Sequence, residues 1–218
     1  MLTETLADGH KVAPASGAFT PEDHLVGKFK QAVDEERSTR FIHPVAGELV
    51  LVPARGVFIG CIKAWKPLVG EQRVSVEEIA LSAREEVALA DVPRGGSLEA
   101  LLWVGGAEAS NGRLPASLSR LDVFGLRYWP NLTRLPVTFD EIRLAALMAR
   151  HPTSIAVAAG HLRVPVATVN RFISAAWCAG VAHAVNRRIT PAPEHKPVQR
   201  GGLLSALLDK LRKSSGGM

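Results

Sequence analysis

Only two cysteines, Cys61 and Cys178, occur in 218 residues. That excludes a disulfide framework and a cysteine-based zinc site. No apolar run approaches the roughly 18–20 residues needed to cross a bilayer, so no stable membrane insertion is expected. The opening stretch, MLTETLADGHKVAPASGAF, has neither a basic start nor an apolar core, and a cytoplasmic chain without a secretory signal is the expectation. Catalytic signatures are missing too. No GxGxxG or GxxxxGK[ST] follows a strand pattern, and no G-x-S-x-G turn marks a nucleophile. The seven histidines pair with no other His, Cys or carboxylate at metal-ligand spacing on a helix. The sequence therefore predicts no metal, no cofactor and no enzymatic activity. What is present has ordinary globular proportions, 47% hydrophobic and 22% charged with a net charge of +5. Enough apolar surface exists to offset chain entropy, which excludes a mostly disordered protein.

Local patterns predict an α+β fold in several parts. Residues 1–19 lack periodicity and read as a disordered arm. A helix is predicted from Thr20, with Thr20 as cap, Pro21 in the first position, Glu22 and Asp23 at the positive dipole end, and Leu25, Phe29, Ala32 and Val33 as its apolar stripe. Phe41, Ile42 and Val45, then 49–52, then 57–62 are short β-prone runs separated by Pro44, Gly47, Pro53 and Gly56, which predicts an antiparallel meander. The alternating run 55–65 reads as sheet core, with Cys61 a small core residue. Residues 75–92 fit either a helix, opened by a capping box of Ser75 and Glu78, or strands. Ser97 caps a helix from 98 to about 110, which Asn111-Gly112 stops. Residues 122–129 read as one more strand. The connector PNLTRLP at 130–136 is the predicted boundary between a mixed α/β domain (20–130) and a C-terminal domain (138–190). A Pro/Gly linker (191–202) then leads to an amphipathic terminal helix (203–213) bearing five leucines, suited to docking on a partner or on its own body.

Residues 138–190 carry the clearest pattern. Thr138 with Glu141 is a capping box opening a helix whose apolar side is Ile142, Leu144, Ala145, Leu147 and Met148. Ser154 caps a second helix over 155–162. A tight turn at Arg163-Val164-Pro165 precedes a third helix from about 166 to 179, stopped by Gly180. Residues 181–185 are strand-like and end in Asn186-Arg187-Arg188. The segment SIAVAAGHLRVPVATVNRFISAAWCAGVAHAV resembles the winged variant of the helix-turn-helix family. Ala159 stands where the two crossing helices touch, Val164 tucks under the turn, and Val169 and Phe172 point to the core. Where the family most often has Gly in the turn, this chain has Arg163.

That resemblance implies that the third helix enters the major groove with Thr168, Asn170, Arg171 and Ser174 free to meet base edges, and that the strands after it form a wing with Arg187 and Arg188 on phosphate. The charge balance agrees. Residues 137–190 hold six basic and two acidic side chains, and residues 1–136 carry a net negative charge. The leading expectation is a non-catalytic transcriptional regulator that binds DNA, and the resemblance implies a homodimer. The alternative is a signalling adaptor whose winged helix, RYWPNLTRLP junction and terminal helix hold a protein partner. A plain three-helix bundle that touches no DNA is the structural alternative for this segment, and an enzyme would need a pocket with convergent polar groups at the Arg94–Ser97 loop. Elsewhere, the Arg94–97 glycine run reads as a capped loop before a phosphate site, and Trp129 as junction packing before a stacking platform.

Overall fold

The computed structural model describes residues 17–89 and 95–186. Its first strand, β1 (Ala18–Phe19), includes a buried phenylalanine. The end of the expected disordered arm is therefore ordered, while residues 1–16 lie outside the described residues. The helix expected from Thr20 breaks in two. A 3-10 turn over Pro21–Asp23 comes first, the extended His24 interrupts it, and α1 (Leu25–Asp34) follows. Thr20 makes no side-chain cap. The interruption has a tertiary cause: His24 Nδ1 meets the Gly70 carbonyl oxygen at 2.8 Å.

The expected meander is present as β2 (Thr39–His43), β3 (Gly47–Val52) and β4 (Val57–Gly60), each antiparallel to the next. The apolar run does not continue as strand. Ile62 opens a helix, α2 (Ile62–Val69), and Cys61 is its exposed N-terminal flanking residue rather than a core residue. Trp65 still reaches the core, but from that helix. The ambiguous 75–92 stretch resolves into β5 (Glu77–Ala80) and α3 (Ala83–Ala88). The capping box expected at Ser75 and Glu78 forms seven residues later, between Ser82 and Glu85. β6 (Gly96–Ser97) completes a five-stranded sheet of order β5-β2-β3-β4-β6. The glycine run has a packing role here. A Cβ on Gly96 would lie 2.8 Å from the Phe58 ring, so the strand approaches that ring only without a side chain.

The helix α4 (Leu98–Ser110) forms as expected, with the Ser97 hydroxyl accepting from the Ala100 N–H and Asn111 left-handed at φ +44°. Its sequence, LEALLWVGGAEAS, is apolar all round, the mark of a helix buried on both sides. Leu98, Leu101 and Val104 join the core of α1, α2 and the five-stranded sheet, while Trp103 and Ala107 join the core of the C-terminal helices. Gly105 faces Val26 of α1 and Gly106 faces Ser174 and Cys178. The pair lets α4 fit between two neighbours at once.

After α4 come β7 (Leu114–Pro115), parallel to β1, and β8 (Val123–Leu126), shorter than the expected 122–129 strand. Then follow α5 (Phe139–Arg150), β9 (Thr153–Ser154), α6 (Ile155–Leu162), α7 (Val166–Cys178) and β10 (Ala182–Ala184), close to the expected bounds. The Thr138–Glu141 capping box forms and Ser154 caps α6. Ala159 and Val164 are buried at the α6–α7 turn, and Arg163 takes a left-handed φ of +54°, a conformation that glycine adopts more readily. Ile142, expected on the apolar side of α5, is exposed instead.

The class is α+β. The connector at 130–136 does not separate the elements on its two sides. β8, which precedes it, lies between β10 and β9 in a three-stranded antiparallel sheet. α4, also upstream, lies along α7, with Trp103 edge-on to Phe172 at a ring separation of 5.6 Å. The linker expected at 191–202 and the terminal helix at 203–213 lie outside the described residues.

Candidate functional site

The third helix of the winged-helix pattern is α7, and its polar face is closed. Asn170 and Ser174 are both buried. The Asn170 amide Nδ2 donates to the Gly112 carbonyl at 3.0 Å, and the Ser174 hydroxyl donates to the Arg113 carbonyl at 2.9 Å. Both side chains thus satisfy the backbone that leaves α4, and α4 occupies the face they were expected to offer to base edges. The physical reason is the glycine pair: Gly106 has no side chain, so α4 approaches the α7 backbone closely.

Arg171 is half-buried and held by two carboxylates. Its Nη1 lies 2.7 Å from Glu141 Oε1 and its Nη2 3.5 Å from Glu108 Oε1. Glu141 is almost fully buried, and its other oxygen accepts from the Thr138 N–H at 2.7 Å. A buried carboxylate needs a cation and hydrogen bonds to remain charged, and Arg171 with the capping box supplies both. Arg171 therefore ties α7 to α5 and α4. Thr168 alone among the four expected helix residues is neither buried nor bonded through its side chain among the described residues.

The wing also differs. β10 pairs with β8, a strand from before α5, in place of a strand that follows it. Asn186 closes this arrangement by accepting from the Val123 N–H at 3.0 Å. Arg187 and Arg188, expected at the wing tip, lie outside the described residues.

A different surface is open. Between α5, α6 and the segment after β8 lies a groove of about 700 Å³, with Trp129, Leu147 and Leu162 among its apolar lining and Arg150, His151 and His161 among its polar lining. Arg143 spans it: Nη1 contacts Asp140 Oδ1 at 3.0 Å and Nη2 donates to the Leu162 carbonyl at 2.9 Å, joining α5 to the end of α6. Its guanidinium also lies 5.9 Å from the Phe139 ring centre. Trp129 is more than half exposed, and Tyr128, Phe139, Ile142 and Val157 are exposed apolar side chains of the same segments. Partial burial and the neighbouring Glu99 carboxylate push the Tyr128 hydroxyl up from its ordinary value. The sequence marks Tyr128 and Trp129 as part of the RYWPNLTRLP junction and Ile142 and Leu147 only as the apolar side of a helix, while Arg143, Leu147 and Arg150 share one helical face by spacing.

Among the described residues no group of three or more His, Cys, Asp or Glu could hold a metal ion, and no helix is long and apolar enough to cross a membrane. His24 and His43 serve the backbone: the His43 Nδ1 accepts from the Val45 and Ala46 N–H groups. No protein-family model, curated protein or solved structure matches the chain.

Proposed function

We propose that this protein is a non-catalytic interaction adaptor that holds a protein partner on the outer faces of α5 and α6. The observation that carries the reading is the burial of Asn170 and Ser174 under α4. In a DNA-binding winged helix those positions face bases; here their hydrogen bonds are internal. Among the exposed apolar side chains, Phe139, Ile142, Val157 and Trp129 belong to α5, α6 and the segment before the connector. Exposed apolar side chains on neighbouring helices favour a macromolecular contact. The DNA reading keeps one support, the net charge of +5.

The test places a photo-crosslinking residue at Ile142 in the full chain inside cells, with Val45 as a control position. Both side chains are exposed. A discrete protein adduct from position 142 and none from 45 is the expected result. Duplex DNA is then titrated with the purified protein across a salt series. Binding that falls steeply with salt, without a protein adduct at 142, overturns the adaptor reading in favour of DNA.

A further inference from the structure

We infer that the groove between α5, α6 and Trp129 receives an acidic segment of a partner protein that places one large apolar side chain on Trp129 and Leu147. The inference rests on the adaptor reading and deepens it by giving the partner's chemistry. Residues 127–186 contain six arginines, no lysine and only two carboxylates. Both carboxylates are already matched. Asp140 pairs with Arg143 and Glu141 with Arg171. Arg134, Arg150 and Arg163 form no ion pair among the described residues. Residues 127–186 thus carry a net charge of +4 with both of their own carboxylates paired, and the acidic neighbours from α4 are Glu99 beside Tyr128 and Glu108 on Arg171. The last turns of α5 and α6 add partial negative charge of about half a unit each, which leaves the surface clearly positive.

The shape of the groove selects a peptide over a nucleic acid. Its floor is apolar, formed by Leu147 and Leu162, and the exposed indole of Trp129 forms one side. Ala146 and Ala149 on α5 keep the floor open. Arg143 is fixed by Asp140 and the Leu162 carbonyl, so the α5–α6 spacing is set before a ligand arrives. Arg150 remains at the rim to meet a carboxylate. An aromatic or leucine anchor flanked by Asp or Glu satisfies both parts, and apolar anchors in pockets carry most interface energy.

The experiment uses the full chain and a random 12-residue peptide library displayed on phage. Selected peptides are expected to combine Asp or Glu with Trp, Phe or Leu. Synthetic copies should shift the emission of the exposed tryptophan, and Trp129→Phe should abolish that shift. Arg150→Glu and Ala146→Glu should each weaken binding at least tenfold. Both residues are exposed, so unchanged thermal unfolding verifies that the fold survives. Selected peptides without acidic bias, or with affinity unchanged in both variants, overturn the groove assignment. A protein adduct at position 142 then still upholds the adaptor reading. No enriched peptide overturns the groove assignment, and the absence of an adduct as well overturns both. Displacement of the peptides by duplex DNA at low salt gives the groove to nucleic acid instead.

Discussion

Replacing Gly106 with alanine tests the contact on which the closed face of α7 depends. Two effects oppose each other. Alanine is a better helix former than glycine by about 0.5–1 kcal/mol in a helix interior. Against that, the added Cβ would lie 2.7 Å from the Ser174 carbonyl oxygen and 2.8 Å from the Cys178 Cβ. Apolar carbons pack at about 3.5–4.0 Å, so α4 and α7 must part by roughly 0.7 Å or more. Neither obstructing atom belongs to a flexible side chain, and the pair is locked by Trp103 on Phe172. Overpacking of this kind costs about 1–3 kcal/mol. The net expectation is a loss of about 1–2 kcal/mol. Gly160, on α6, provides the control, since a Cβ there meets nothing within 4 Å. Gly160→Ala should stabilise by about 0.5–1 kcal/mol through propensity alone. The two alanine variants should therefore differ by about 1.5–3 kcal/mol in urea unfolding. At about 2–4 °C per kcal/mol for a body of this size, their Tm values should separate by roughly 3–12 °C. If Gly106→Ala stabilises as Gly160→Ala does, α4 does not lie on α7. The face of α7 that bears Asn170 and Ser174 would then be open.

Arg171→Ala should destabilise by about 1.5–3 kcal/mol in denaturant unfolding, because it leaves the buried Glu141 carboxylate without its cation; an unchanged stability with lost DNA affinity would return Arg171 to base recognition. Iodoacetamide should label the native protein once, at Cys61, with a midpoint below the usual thiol range, since the backbone N–H groups of Ala64 and Lys63 favour its thiolate. Cys178 should label only on unfolding, because burial pushes its thiol up to about 12. The unfolded chain therefore releases that proton first, and wild-type stability relative to Cys178→Ala should decline as pH rises from about 9 towards 12. A fragment spanning 138–190 should show no cooperative unfolding by circular dichroism, whereas 17–186 should unfold in one transition; a folded short fragment would mean that β8 and α4 are dispensable.

Local signals in the sequence were informative wherever one residue's chemistry decided the structure. Ser97, Thr138 and Ser154 all cap the helices expected of them. Asn111 and Gly180 take the positive φ that ends a helix. Misreadings arose where a partner distant in sequence intervened. His24 leaves the helical path for a carbonyl 46 residues away. Ile62 continues an apolar run but starts a helix that carries Trp65 inward. The site suffered most from this. Polar spacing put Asn170 and Ser174 on an open face, and nothing within α7 reveals that another helix lies there. The signal was instead in α4, whose apolar residues surround it without a polar side and whose Gly105-Gly106 pair permits two close neighbours. An all-round apolar helix needs a cover on each side, and α7 is one of them.

Because β8 sits between β10 and β9, order of synthesis becomes part of the protein's physics. The central strand leaves the ribosome before both of its neighbours. At about 5–20 residues per second, the 58 residues from Leu126 to Ala184 take roughly 3–12 s to appear. Both edges of Val123–Leu126 are unpaired until Ser154 emerges, the edge that β10 covers stays open for the whole interval, and unpaired strand edges recruit other chains. The sequence around the strand limits the exposure. β8 is only four residues long, Gly125 weakens it as a template, and Arg120 and Arg127 flank it with charge. A nascent chain stalled before Ala182 would be the form of this protein most prone to aggregate.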